Sequence, residues 1–133
     1  MVPPGEPCGE DQIPSSNAPM LAAMLAALPV DVTMRPIVRD DLAALTAEFA
    51  SCAGFDIVVS IGGASVGDHD LVRPALLAAG AQLDFWKIAM RPGKPVMAGQ
   101  LGDAVVLGLP GNPASAYVTA MLLLLPLMAH MGG

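Results

Sequence analysis

The stretch Phe55-Asp-Ile-Val-Val-Ser-Ile-Gly-Gly-Ala-Ser-Val-Gly-Asp-His-Asp70 decides how this chain is read. Its first half, Phe55 to Ile61, is an almost unbroken β-branched run, the pattern of a parallel strand buried on both faces. Its second half abandons that pattern for Gly62, Gly63, Ser65 and Gly67, followed by the carboxylates of Asp68 and Asp70. Adjacent glycines let backbone N–H groups turn toward a ligand with no Cβ in the way. A strand that ends in such a loop and feeds a helix is the unit from which doubly wound α/β folds are built.

Outward from that unit, the same alternation recurs. Asn17 caps a first helix carrying Met20, Leu21, Met24, Leu25 and Leu28 on one face, closed by Pro29. Val30 to Val38 is expected to be a strand. Asp40 or Asp41 caps a second helix with Leu42, Leu45 and Phe49, ending at Gly54. A third helix is expected from Asp70 to Ala79, stopped by Gly80, and then strands over Leu83 to Met90, Val96 to Gln100 and Ala104 to Leu109. Leu101-Gly102-Asp103 joins the last two as a hairpin, and a final helix starts at Asn112-Pro113. The expected architecture is a three-layer α/β/α sandwich around a mostly parallel sheet.

Composition bounds the function. The chain has 133 residues, enough for one domain with a real core, and is 54% hydrophobic with 14% charged. A formal charge of −6 argues against a nucleic-acid partner, which needs clustered Lys and Arg. Yet Lys87, Arg91 and Lys94 fall close together, a candidate site for an anionic small molecule. The apolar run Tyr117 to Met131 contains Pro126 and is shorter than the ~20 residues of a membrane span, so it reads as a buried core helix with no membrane partner. Cys8 and Cys52 lie far apart and outside any metal-spaced pair; two free thiols in a reducing cytoplasm are expected. Met1 to Pro7 shows neither a basic n-region nor an apolar h-region.

Two further loops bear chemistry. In Arg91-Pro-Gly-Lys-Pro95, prolines stiffen a turn bracketed by two cations, which lowers the ordering entropy of gripping an oxyanion. In Gly108-Leu-Pro-Gly-Asn-Pro-Ala-Ser115, Gly111 leads to the capping Asn112 and to Ser115, where helix N–H donors favour an anion. Each has a plainer alternative: a tight turn with Asp70 as cap, a hairpin with incidental charge, and a well-capped helix without ligand. His69, between two Asp, reads as solvated.

Together these pieces resemble one family, the molybdopterin-binding domain of molybdopterin molybdenumtransferases, which include the E domain of gephyrin. The residues carrying the resemblance are Val38-Arg-Asp-Asp41, Gly62 to Asp70, Phe85-Trp-Lys-Ile-Ala-Met-Arg-Pro-Gly-Lys-Pro95 and Leu109-Pro-Gly-Asn-Pro-Ala-Ser115. The resemblance implies insertion of molybdate into adenylylated molybdopterin with release of AMP, with Mg²⁺ as cofactor. Carried over by position, Arg91, Lys94, Pro95 and Ser115 are implied to line the molybdate pocket, and Lys87 to approach the phosphates. Asp70 is implied on the Mg²⁺ and nucleotide side, with Asp40 as a second acidic residue of the cleft. Arg91 stands where the family usually has Lys, and Ser15 where it usually has Asp. The resemblance also implies that the family's opening strand and companion domains lie outside residues 1–133, so an N-terminally truncated domain, marginally stable alone, is expected. The rival expectation is a non-catalytic module holding pterin phosphate or a partner protein. A cytoplasmic protein, with a homo-oligomer left open, completes the reading.

Overall fold

The structure, a computed structural model, describes residues 17–62, 70–88 and 96–131. It divides into two units, Met1–Ile37 and Val38–Gly133. In the first unit, helix α1 spans Asn17–Leu25 and buries Leu21 and Leu25. Its end tightens into i→i+3 bonds, Ala26 N–H to Ala23 O and Leu28 N–H to Leu25 O, before Pro29 stops it. The expected strand Val30–Val38 does not form; residues 31–37 carry no regular structure and are exposed. Alternation marks a segment able to pair, but a strand forms only where a partner edge meets it.

The second unit is an α/β fold, as expected. Asp41 caps helix α2 (Leu42–Ser51), its carboxylate accepting the Ala44 N–H at 2.8 Å. Strand β1 (Ile57–Ile61) follows, then α3 (Val72–Ala78), β2 (Gln82–Ile88), β3 (Val96–Leu101) and β4 (Ala104–Leu109). Helix α3 ends in a Schellman motif: Gly80, at φ +99°, donates to Leu77 O, and Ala81 donates to Leu76 O.

The sheet order is β1-β4-β3-β2. β1 and β4 are parallel, while β3 is antiparallel to both β2 and β4, so the described sheet is mixed. The expected hairpin joins β3 to β4 through Gly102 at φ +60°, the left-handed conformation that a two-residue loop requires. Among the described strands β1 lies at an edge, and of its residues only Val58 is buried, where a strand covered on both faces was expected. Its apolar run satisfies the pattern of an interior strand, but edge position is a property of the sheet rather than of the segment.

Phe49 and Cys52 from the α2 end, Ala75 and Leu76 from α3, and Val58, Met97, Leu101 and Val106 from the sheet form one core. Leu107 and Leu109 are buried outside that cluster, on the opposite face by strand alternation. There the C-terminal helix contacts β4 and buries Ala116, Thr119, Ala120 and Leu124. Each fully buried Leu contributes roughly 1.5–3 kcal/mol, which makes Leu76, Leu109 and Leu124 strong anchors of the three layers.

That helix comprises α4 (Pro113–Thr119), a π segment (Ala120–Leu124) and α5 (Leu125–Met131). The π segment absorbs Pro126. The Leu125 N–H bonds to Ala120 O, five residues back, and the widened turn relieves the clash a proline makes with the carbonyl four residues before it. The helix therefore runs unbroken for 19 residues and is long and apolar enough, by length and composition, to cross a membrane. The expectation of a buried core helix holds for one face only, since Tyr117, Met121 and Leu122 are about half exposed.

Candidate functional site

The candidate site lies where β1 and β4 end together. Ile61 pairs with Leu109 in the parallel register, and the next residue, Gly62, donates its N–H to Leu109 O at 2.9 Å. Gly62 then turns away at φ +81°, a conformation few residues but glycine adopt cheaply. On the neighbouring strand Leu109 passes through Pro110 to Gly111. A Cβ built on Gly111 would sit 3.6 Å from Gly62 Cα, so the two loops leave their strands backbone to backbone with no side chain between them. Ser60, the single hydroxyl in β1, reaches toward Gly62 O at 3.5 Å.

Beyond Gly111, Asn112 caps α4 as expected: its Oδ1 accepts the Ser115 N–H at 3.2 Å and its carbonyl the Ala116 N–H at 2.8 Å. Pro113 has no N–H and Asn112 takes those of Ser115 and Ala116, leaving the Ala114 N–H and the half-buried Ser115 hydroxyl for an anion.

Asp70 is the sequence-predicted acid whose surroundings the structure defines, with Asp40 close enough to act on it electrostatically. Asp70 precedes α3 without being its N-cap, which is Leu71. Its Oδ1 accepts the Val72 N–H at 2.9 Å, while its Oδ2 is shut off from solvent and has no hydrogen-bond partner among the described residues. Burial, chiefly, holds the Asp70 carboxyl above its ordinary range; the Val72 N–H opposes this, and the nearby Asp40 carboxylate adds to it. A carboxylate oxygen that is buried and unpaired is an acceptor without a donor or cation. A buried carboxylate oxygen of this kind is a donor that Mg²⁺ takes together with water and substrate phosphate. Among the described residues no group of three or more His, Cys, Asp or Glu gathers to form an all-protein metal cage.

Gly63, Ser65, Gly67, His69, Arg91, Lys94 and Pro95, with Cys8 and Ser15, lie outside the described residues. Lys87 falls in β2 at an irregular step of the ladder, between the pairs Trp86–Met97 and Ile88–Val96. Cys52 is a free, buried thiol, as expected. The role of Ser60 was not anticipated; its one signal is a hydroxyl within an otherwise apolar run.

The chain matches the model of a family described as a probable molybdopterin binding domain over residues 4–130. It is 38% identical over 134 residues to the molybdopterin molybdenumtransferase of Haemophilus influenzae, covering 100% of this chain and 33% of that protein. It is 36% identical to the enzyme of the same name from Nostoc sp., covering 96% of this chain and 30% of that one. Among solved structures, a molybdopterin biosynthesis MoeA protein from Pyrococcus horikosii superposes with a TM-score of 0.83 at 31% identity, over 96% of this chain and 31% of its own. The MoaB structure from Thermus, at 21% identity, TM-score 0.70 and 88% of this chain against 82% of its own, shares the fold. The chain thus spans about a third of the length of the molybdenumtransferases it matches.

Proposed function

The chain belongs to the family of probable molybdopterin binding domains of molybdenum cofactor biosynthesis, and on that premise we propose that it binds adenylylated molybdopterin and serves the insertion of molybdate with release of AMP. The observation that carries this reading is the Gly62–Gly111 approach. Two backbones open at the ends of adjacent parallel strands form a floor on which a flat ring and its phosphate can lie without meeting a side chain.

Each residue then has a defined task. Gly62, Gly63 and Gly67 let the backbone close on the ligand, with Ser65 and the Ser115 hydroxyl as polar donors. Gly111 and Asn112 set the start of α4 beside the anion. Lys87, Arg91 and Lys94 offset the charge of phosphate and molybdate, Arg91 through two parallel donors and Lys94 as a point charge held by Pro95. Asp70, with Asp40 as a second acidic residue of the cleft, would hold Mg²⁺. That ion, when bound, supplies charge neutralisation at the phosphates. The relatives' extra length is where companion domains would add further molybdate contacts. The reaction's small, anionic, intracellular substrates suit a cytoplasmic protein.

The test is AMP release from molybdopterin-AMP, followed by chromatography with molybdate and Mg²⁺ each present or withheld. Release should need both. Lys94→Ala should weaken molybdate use by roughly 1.5–3 kcal/mol, the scale of a charge-assisted hydrogen bond, and Asp70→Asn should reduce Mg²⁺-dependent release while leaving the fold intact. Tight ligand binding by a folded chain with no release would instead assign a non-catalytic binding module.

A further inference from the structure

Ser60 is the one hydroxyl in the run Ile57-Val-Val-Ser-Ile61, and the ligand reading gives it no task. By strand alternation its side chain lies on the face of Val58, in the core that Ala75 and Leu76 of α3 complete. Its neighbours across the sheet on that face are apolar. Gly108 stands opposite it on β4, and Met97 of β3 stands opposite Gly108. The Met97 Cε fills the space beside Gly108, 2.9 Å from where a Cβ would be. An acceptor within reach of the half-buried Ser60 hydroxyl is instead the Gly62 carbonyl oxygen, at 3.5 Å.

Gly62 is thereby held on both sides. Leu109 O takes its N–H at 2.9 Å, and the Ser60 hydroxyl draws its carbonyl back toward β1. The second contact is long for a hydroxyl bond, so it biases the carbonyl without locking it.

That bias bears on charge. The peptide leaving Gly62 has a glycine on either side, Gly62 and Gly63, so no Cβ resists its rotation. In a planar trans peptide the carbonyl and the N–H point opposite ways. A flip therefore exchanges a donor that attracts an anion for an oxygen that repels one.

We propose that Ser60 is a positioning residue for the anionic ligand. Its hydroxyl keeps the Gly62 carbonyl turned back along β1, away from the Gly62–Gly111 floor, a role that rests on the pterin-phosphate reading given above. Ser60 itself makes no contact with the ligand. It acts through the orientation of one peptide.

Ser60→Val and Ser60→Thr test this, since both are β-branched strand formers of nearly one shape and differ in the hydroxyl. In calorimetric titrations with molybdopterin-AMP, Ser60→Val and Ser60→Ala should bind roughly three- to tenfold more weakly than the parent chain, the scale of one neutral hydrogen bond. Ser60→Thr should bind as the parent does. Thermal melts should place Ser60→Val no lower than Ser60→Thr, which separates the loss of affinity from any loss of fold. Equal affinities for Ser60→Val and Ser60→Thr, or losses that follow the melting temperature, would overturn the role of Ser60 and leave the ligand reading standing. A folded parent chain that binds no molybdopterin-AMP would overturn both.

Discussion

Gly62 and Gly111 face one another across the ends of two parallel strands, close enough that a Cβ on Gly111 would touch Gly62 Cα at 3.6 Å. The two glycines are nonetheless constrained by different physics. Gly62 sits at φ +81°, whereas Gly111 is limited by the space before it.

Gly62→Ala should therefore destabilise the fold by about 1–2 kcal/mol, the cost of placing a Cβ in the left-handed region. Gly111→Ala makes an ordinary van der Waals contact and should leave the melting temperature nearly unchanged while weakening ligand binding. Thermal melts and ligand titrations on both variants separate the effects. Unaltered affinity in Gly111→Ala would remove the glycine floor from the ligand's path.

Asp70 should trade stability for function. Its native carboxyl holds protons more tightly than its ordinary pKa of 3.8, mainly through burial and further through Asp40. The native state then binds more protons than the unfolded chain, so stability falls as pH rises from 3.8 through the raised value, and the cost persists at neutral pH. Asp70→Asn keeps an acceptor for the Val72 N–H and removes the charge, so it should melt no lower than the parent at pH 7, and higher if the charge dominates. The difference should vanish under strongly acidic conditions. A lower melting point at pH 7 would make Asp70 a structural residue first.

Asn112→Ala should cost about 1 kcal/mol through loss of the α4 cap, and Asn112→Asp should recover most of it. Because Asn112 occupies the Ser115 N–H, the Ala variant frees a donor facing the site. Its anion affinity, compared at matched folded fraction, should not fall with stability. Parallel losses in chemical denaturation and sulfate titration would contradict the geometry.

Gly99 and Gly108 provide a paired test of the sheet. A Cβ on Gly99 would strike the backbone of β2, reaching Leu83 Cα at 2.9 Å and the Gln82 carbonyl oxygen more closely still. A Cβ on Gly108 would meet the flexible end of Met97, its Cε at 2.9 Å. Gly99→Ala should cost about 1–3 kcal/mol or split β2 from β3, while Gly108→Ala should cost less, since Met repacks readily. Equal midpoints in urea for the two variants would show that β2 yields as easily as a methionine methyl.

Local signals carried most of the fold. Asp41 and Asn112 as caps, Gly80 as a helix stop and Gly102 as a hairpin turn all depend on neighbours within a few residues, and each stands where the sequence places it. Properties of the assembled sheet were not legible in the same way. The run Ile57–Ile61 reads identically at an edge and in the interior, and Val30–Val38 reads as a strand whether or not an edge receives it. The exposed side of the C-terminal helix was hidden because an all-round apolar sequence does not say which face is covered. At the site, the glycine-rich loops marked Gly62 and Gly111 as site residues, while their approach to one another is visible only in the structure. The Asp70 oxygen that has no partner among the described residues and the consumed N–H of Ser115 depend on three-dimensional neighbours that no spacing reveals.

The account's central claim is that this domain binds the adenylylated pterin, and calorimetric titration of the folded chain with molybdopterin-AMP, with and without molybdate, tests it most directly. Saturable binding at one ligand per chain, strengthened by Mg²⁺ and weakened in Gly111→Ala and Lys94→Ala, is the predicted result. A chain that is folded by circular dichroism, melts cooperatively and shows no heat of binding at any ratio of ligand would contradict it.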